Sequence, residues 1–249
     1  MNGYMNLCTQ YYDIDKPAPP QGELNFYLRY VQNAGGPILE PMCGSGRFLV
    51  PLRDLGFDID GVDASPHMLA ACRAHLGRKG LTAGLHEQPL HQLEVSRRFA
   101  LVMIPAGSFG LVTDPAEARE SLLRVYESML PGAKLVLDVE RQRSPVSFSW
   151  PWGGRWVERP DGAKIVISWV GRYDSATRIS RSIHRFELVK DGRLLEAEFE
   201  DFDLRYYEPE EFAQLLENTG FRAVRTWKAH EFRPPEDADE AIVFECVKP

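Results

Sequence analysis

Two acidic residues of this sequence have the type and spacing expected of a binding site. Each stands at the end of a short apolar run. Glu40 ends the first run and is followed by a turn that contains Gly44 and Gly46, and Asp63 ends the second run. In a doubly wound α/β fold, the carboxyl ends of the first two strands bind an adenosine-containing cofactor. The spacing therefore predicts a cofactor cleft at these two strand ends.

The glycine turn departs from the dinucleotide-binding pattern G-x-G-x-x-G. Gly44 and Gly46 occupy the first two glycine positions, but the third position is Leu49. That third glycine normally permits close packing of the helix on the strand. The carboxylate of Glu40 would repel a pyrophosphate and would attract an ammonium group. The turn thus favours a cofactor with an amino-acid moiety over a dinucleotide.

Residues 40–46 read Glu-Pro-Met-Cys-Gly-Ser-Gly, which resembles the first motif of the class I methyltransferases that use S-adenosylmethionine (SAM). That motif reads acid-x-Gly-x-Gly-x-Gly, so Met42 stands where the first glycine would be. The resemblance covers residues 35–139 and, more loosely, residues 208–249. It implies that the chain binds SAM and its product S-adenosylhomocysteine (SAH).

The resemblance also implies roles for individual residues. Asp63 would hold both ribose hydroxyls, because a carboxylate accepts two hydrogen bonds at once. Gln88 would offer its amide to the adenine edge. Independently of the resemblance, Tyr11 and Tyr12 of the N-terminal arm are placed either to close over the cofactor or to serve a surface or hinge role. The full set of predicted cofactor contacts is Tyr12, Glu40, Met42, Gly44, Ser45, Gly46, Arg47, Asp63, Ala64, Met68, Gln88, Pro89 and Pro105.

The segment after the fourth predicted strand bears on the methyl acceptor. Residues 104–109 read Ile-Pro-Ala-Gly-Ser-Phe and lack the Asp/Asn-Pro-Pro-Tyr/Phe motif of enzymes that methylate amide or nucleobase nitrogens. This favours direct in-line transfer to an oxygen or nitrogen of a small molecule. Only some nucleophiles need a base, since the methyl group is already activated. The weak candidates for a base are His184, His230 and Tyr206.

Two alternatives remain open from the sequence. One is an NAD(P)-dependent oxidoreductase on a similar scaffold, which Glu40 and the missing third glycine disfavour. The other is a SAM-binding protein without turnover, which remains open because Met42 replaces a motif glycine and no clear acid recognises the adenine.

Composition narrows the possible partners. The formal net charge of −7 disfavours nucleic acid, which requires a basic patch. The four cysteines form no C-x-x-C pair, so no metal site is predicted. The sequence shows no basic, apolar leader and no apolar run of membrane-spanning length. We therefore expect a cytoplasmic protein that acts on a small molecule without a membrane partner, and the sequence leaves its oligomeric state open.

Alternating apolar runs and helical patterns predict an α/β, Rossmann-like fold, with a doubly wound, mostly parallel sheet of seven strands. An antiparallel β insertion is expected after the fifth strand, because alternating segments are separated there by Asp-Gly pairs. The insertion also holds four tryptophans, which are predicted to offer surfaces to an organic substrate. The expected divisions are an N-terminal arm and helix (1–34, irregular to 22), the SAM-binding core (35–143), the insertion on the substrate side (144–207) and the C-terminal part of the core (208–249).

Overall fold

A computed structural model describes residues 3–141 and 149–249 and contains two β-sheets. The helices are α1 (Asn6–Asp15), α2 (Gln21–Gln32), α3 (Leu49–Asp54), α4 (Pro66–Arg78), α5 (Pro115–Ser128) and α6 (Pro209–Thr219). The strands of the large sheet are β1 (Ile38–Pro41), β2 (Ile59–Asp63), β3 (Leu85–Glu87), β4 (Phe99–Ile104), β5 (Met129–Glu140), β10 (Arg222–Lys228) and β11 (Ala241–Val247). The smaller sheet contains β6 (Ser149–Glu158), β7 (Lys164–Asp174), β8 (Ile179–Lys190) and β9 (Arg193–Arg205).

The large sheet has the strand order β10-β11-β5-β4-β1-β2-β3, and only β11 runs against its neighbours. This confirms the predicted doubly wound, mostly parallel sheet of seven strands. Buried clusters lie on both faces of the sheet, as expected for parallel strands that are covered by helices. The carboxyl ends of β1, β2, β4 and β5 therefore share one edge. Within the described ranges, no helix combines the length and the apolar character that crossing a bilayer requires.

Local sequence explains where two of the core helices begin. Ser65 caps α4 by accepting a hydrogen bond from the Met68 N–H, and a proline follows at the first helical position. Asp114 caps α5 by accepting hydrogen bonds from the N–H groups of Ala116 and Glu117. In both helices the cap residue is followed directly by a proline in the sequence.

The N-terminal arm differs from the prediction, because residues expected to be irregular form helix α1. One face of α1 carries Leu7, Cys8 and Tyr11, which pack against the buried face of the smaller sheet. The packing partners on that sheet are Ile165, Ile167 and Phe186. The expectation of an irregular arm was wrong because this helix is stabilised by tertiary contacts rather than by a strong local pattern.

The insertion forms the predicted antiparallel sheet, with the order β6-β7-β8-β9. Asp191 and Gly192 both have positive φ angles, +51° and +71°, as a tight two-residue hairpin turn requires. The predicted boundary at residue 144 lies outside the described residues. Trp152 and Trp156 are 57% and 53% exposed, and neither lines the cofactor cleft described below. A substrate-binding role for the tryptophans of the insertion stays a prediction.

The left-handed residue that ends α6 supports a first prediction. Gly220 has φ +115°, and an added Cβ would lie 3.3 Å from the Tyr126 ring. We expect Gly220→Ala to lower the free energy of unfolding by about 1–2 kcal/mol. Gly22→Ala, in the first turn of α2 with open space around it, should raise that free energy by about 0.5 kcal/mol. Urea titration of both variants tests this, and a change of the same sign in both would contradict it.

Candidate cofactor site

A cleft of about 320 Å³ opens at the edge of the large sheet where β1, β2 and β4 end. Most of the predicted cofactor residues line it, namely Tyr12, Glu40, Met42, Gly44, Arg47, Asp63, Ala64, Met68, Gln88, Pro89 and Pro105. Ser45 and Gly46 belong to the same turn but do not line the cleft. Across the described ranges, no group of three His, Cys, Asp or Glu residues is placed to hold a metal ion.

Glu40 is the most unusual group in this cleft. Its side chain is 2% exposed, and one carboxylate oxygen, Oε2, has no hydrogen-bond partner in the described part of the chain. Burial raises the pKa of this carboxyl well above its ordinary value, and the nearby guanidinium of Arg47 lowers it only in part. A buried carboxylate oxygen without a partner is costly unless a cation or donor meets it. The Glu40 side chain therefore suits a ligand that carries an ammonium group.

Asp63 is held rigidly in the wall of the cleft. Its Oδ2 accepts a hydrogen bond from the Gly44 N–H at 2.8 Å, and its Oδ1 accepts one from the Ser65 N–H at 2.8 Å. Burial raises the pKa of Asp63, and these backbone donors oppose that shift. Each oxygen still has capacity for another donor. Asp63 is thus oriented to receive hydroxyl groups from within the cleft.

Met42 occupies the position of the first motif glycine in a conformation that explains why glycine is usual there. Its φ is +59°, in the left-handed region that side chains other than glycine rarely adopt. The Met42 side chain packs against the core cluster beneath β4 and β5. The backbone of the turn is therefore preserved although the glycine is absent.

The space that the third glycine of the dinucleotide pattern normally supplies is supplied here by strand β2. A Cβ on Gly61 would lie 2.6 Å from Leu49 Cδ1 and 2.6 Å from Cys43 Sγ. Leu49 replaces the helix glycine and fills the room that Gly61 leaves. Helix α3 can therefore pack closely on the sheet without a glycine of its own.

The predicted adenine contact of Gln88 would compete with contacts that its side chain already makes. Its Nε2 donates to the Glu94 carbonyl at 2.9 Å, and its Oε1 accepts from the Glu94 N–H at 2.7 Å. His91 and Glu117, which the sequence did not suggest, line the same end of the cleft with Nδ1 and Oε2 3.8 Å apart. Recognition of an adenine by Gln88 stays a prediction.

The N-terminal segment contributes lining residues that the sequence did not single out. Gly3 and Tyr4 line the cleft beside Tyr12. The Arg47 guanidinium lies 5.8 Å from the centre of the Tyr12 ring, within the range of a cation–π contact. The N-terminal segment and α1 thus cover part of the cleft.

None of the three candidate bases lines the cleft itself. His184 stacks on Phe202 with ring centres 4.9 Å apart, inside the insertion, and burial lowers its pKa. Tyr206 packs edge-on against Tyr173, and burial raises its pKa to about 12, so it stays protonated near neutral pH. His230 has Nδ1 3.9 Å from Glu23 Oε1, while its Nε2 is buried without a hydrogen-bond partner in the described ranges.

A buried acid at the end of β5 extends the polar region beyond the cleft. Asp138 is 3% exposed, accepts a hydrogen bond from the Tyr27 hydroxyl and accepts another from the Gly107 N–H at 2.6 Å. Burial raises the pKa of Asp138, and His230 is near enough to lower it in part. The sequence signal for this residue was a single acid within the apolar run 135–139. Asp138 thereby fixes the loop that follows β4, next to the cleft.

The burial of Glu40 supports a prediction about pH. Because the pKa of Glu40 is higher in the folded protein than in the unfolded chain, its contribution to stability is fully present below the ordinary glutamate pKa. That contribution is lost as pH rises towards the raised pKa. We therefore expect the stability difference between Glu40→Gln and the unliganded wild type to grow in favour of the variant as pH rises from about 4. Urea titration at several pH values tests this, and parallel curves would contradict it.

Comparison with known proteins identifies a methyltransferase domain in part of the chain. Residues 38–132 match the family described as methyltransferase domain. A putative methyltransferase from Geobacillus sp. (strain WCH70) is 31% identical over 111 residues, which cover 45% of each chain. The ubiquinone biosynthesis O-methyltransferase of Xanthomonas axonopodis pv. citri is 27% identical over 164 residues, covering 60% of this chain and 63% of the relative. The chain thus spans about half to two thirds of the length of these relatives.

The similarity in fold to a solved structure covers the whole chain, whereas the sequence matches cover only part of it. The sugar N-methyltransferase KedS8 from Streptoalloteichus superposes with a TM-score of 0.77 at 19% identity, covering 100% of this chain and 95% of that one. Residues 38–132 thus carry a methyltransferase domain, and the whole chain has the fold of this solved methyltransferase.

Proposed function

We propose that this protein transfers a methyl group from SAM to an oxygen or nitrogen of a small organic molecule by in-line displacement. The observation that carries the proposal is the unpartnered Oε2 of Glu40, buried at the end of β1 in a cleft that Asp63 also lines. An ammonium group would meet the first carboxylate, and adjacent ribose hydroxyls would meet the second. When bound, SAM supplies an activated methyl group.

The protein's own residues would bind and orient the cofactor and shield it from water. Glu40 would hold the amino-acid end of the cofactor and Asp63 its ribose, while Tyr4 and Tyr12 would exclude water from above the cleft. Such positioning supplies much of the catalysis when the transferred group is already activated. The same arrangement disfavours the nicotinamide-dependent alternative, because a pyrophosphate would lie against the buried Glu40 carboxyl.

The acceptor would bind beyond Pro105, over the ends of β4 and β5. Asp138, His230 and Tyr206 are gathered around these strand ends by three separate segments of the chain, and Glu140 lies among the charges that raise the pKa of Tyr206. His230, with an unpartnered Nε2 and carboxylates nearby, is the best placed of the three candidate bases. Tyr206 would donate a hydrogen bond rather than accept a proton, since its pKa is raised to about 12.

The insertion would border the acceptor. Its last strand, β9, leads directly into Tyr206, and Leu204 packs against the segment after β4 at Gly110. Similar proteins act on different atoms, since one curated relative is an O-methyltransferase and one structural neighbour is a sugar N-methyltransferase. Both oxygen and nitrogen are therefore included as possible acceptor atoms for the methyl group.

Calorimetric titration of the intact protein with SAM, SAH and NAD tests the proposal. We expect micromolar binding of SAM and SAH and none of NAD. Transfer of tritiated methyl groups to a panel of small hydroxyl and amine compounds then separates an enzyme from a silent binder. Binding of NAD with no binding of SAM would overturn the proposal, and binding of SAM with no transfer to any compound would favour the non-catalytic alternative.

A further inference from the structure

The start of helix α1 lacks a cap of its own. The N-cap residue is Met5, which offers no side-chain hydrogen bond, and the first turn contains no acidic residue. The first N–H groups of a helix have no partner within the helix, and the positive end of its dipole lies there. These groups must find acceptors elsewhere in the protein.

Two carboxylates of strand β9 supply those acceptors. Glu200 accepts hydrogen bonds from the N–H groups of Tyr4 and Met5, at 2.9 Å and 2.6 Å, and Glu198 accepts one from the Leu7 N–H at 2.7 Å. Both side chains are buried, at 4% and 9% exposure. Charge-assisted bonds of this length at a helix N-terminus are among the stronger protein hydrogen bonds. We call Glu198 and Glu200 the carboxylate latch.

The segment held by the latch also reaches the cofactor cleft. Tyr4 lines the cleft, and its carbonyl accepts a hydrogen bond from the Ser65 hydroxyl at 2.6 Å. The Ser65 N–H in turn donates to Asp63, the residue proposed to hold the ribose. Tyr4 has φ +60°, a conformation that costs energy and persists only where the surroundings impose it. A continuous set of contacts therefore joins Glu200 to Asp63.

The other contacts of α1 place it between the insertion and the core. Leu7 and Tyr11 face the smaller sheet, whereas Tyr12 faces the cleft. Asp13 pairs with His75 of α4, with Oδ2 and Nε2 3.1 Å apart. The helix is thus fixed on one side by the insertion and lies over the cofactor cleft on the other.

We infer that Glu198 and Glu200 are positioning residues for the cofactor, because they hold the N-terminus of α1 so that Tyr4 and Tyr12 close the cleft. The insertion then has a second role besides bordering the acceptor, which is to complete the cofactor site from a distance. This inference rests on the proposed function, since SAM and SAH are the ligands that the closed cleft would retain.

The test compares SAH affinity and hydrogen exchange in the intact protein. We expect the double variant Glu198→Ala/Glu200→Ala to bind SAH at least tenfold more weakly and to exchange the α1 amides at least tenfold faster. Amides of β4 and β5 should exchange as in the wild type. Glu200→Gln loses the charge and keeps one acceptor oxygen, so it should show the same two changes with a smaller magnitude. It should also remain folded even if the double variant does not fold. Glu196→Ala, an exposed glutamate on the same strand, should leave both measurements unchanged.

The outcomes separate this inference from the proposed function. A role in stability alone would lower the melting temperature of the latch variants and leave their SAH affinity as in the wild type, and that result overturns the inference. Slow α1 exchange in the double variant would also overturn it, because the latch would then not hold the helix. A wild-type protein that binds no SAH would contradict the proposed function itself.

Discussion

Replacing Glu40 by glutamine is expected to weaken SAM binding by about 100-fold. Glutamine keeps the size of the side chain and one acceptor oxygen, but it removes the charge that would meet the cofactor's ammonium group. Removing one partner of a buried ion pair costs about 3–5 kcal/mol, and we place this case at the lower end because the amide oxygen still accepts a hydrogen bond. Calorimetric titration with SAM measures the loss directly.

The same substitution should not harm the unliganded protein. The Glu40 carboxyl is buried, and its Oε2 lacks a hydrogen-bond partner among the described residues, so a neutral amide is easier to bury than the carboxylate. Loss of affinity together with equal or greater stability is a pattern that ordinary structural damage does not produce. Glu87→Gln, at the exposed end of β3, is the matched control and should leave SAM affinity unchanged. Equal affinities of wild type and Glu40→Gln would show that the ammonium group binds elsewhere.

Asp63→Ala is expected to produce the second large effect, with SAM binding weakened by roughly 2–4 kcal/mol. Hydrogen bonds to a charged acceptor contribute about 1.5–3 kcal/mol each and are not additive, which sets this range for the two ribose hydroxyls. The free energy of unfolding should also fall by about 2 kcal/mol, because the N–H groups of Gly44 and Ser65 lose their acceptor. Calorimetry and urea titration measure the two effects separately.

Asp60 provides the matched control for Asp63. It lies three residues earlier on the same strand, pairs with Arg97 at 2.8 Å and accepts the Gly84 N–H at 3.0 Å, and it does not line the cleft. Asp60→Ala should therefore destabilise the fold without changing SAM affinity. If Asp63→Ala behaved in the same way, the ribose would be held by other residues.

The cofactor cleft was largely predictable because its parts are encoded locally. Each acid lies at the carboxyl end of its own strand, and parallel strands bring Glu40 and Asp63 to one edge regardless of the loops between them. The caps of α4 and α5 are likewise written in adjacent residues. Pro51 lies in the first turn of α3, where the fixed φ of proline is compatible with a helix.

The features that escaped prediction depend on distant partners. Helix α1 has no local cap, since its acceptors are Glu198 and Glu200, and its buried face fits a sheet formed much later in the chain. His184 lies on a strand of alternating residues, and the sequence alone does not show which face of that strand is buried. The structure places His184 within the insertion. The role of Gly61 was hidden for the same reason, because the residue it accommodates, Leu49, belongs to another element. A larger residue at position 61 would require a smaller one at position 49. The spacing of glycines within the turn therefore does not by itself predict how closely helix α3 packs on the sheet.

The separation between α1 and its carboxylate latch has a consequence for synthesis on the ribosome. The acceptors for the first N–H groups of α1 lie 191 to 196 residues further along the chain. An isolated helix of ten residues is marginal in water, so α1 cannot dock when it first emerges. Strands β1 and β2, by contrast, can pair once residue 63 has left the ribosome. The covering of the cofactor cleft must therefore wait until translation has passed residue 200.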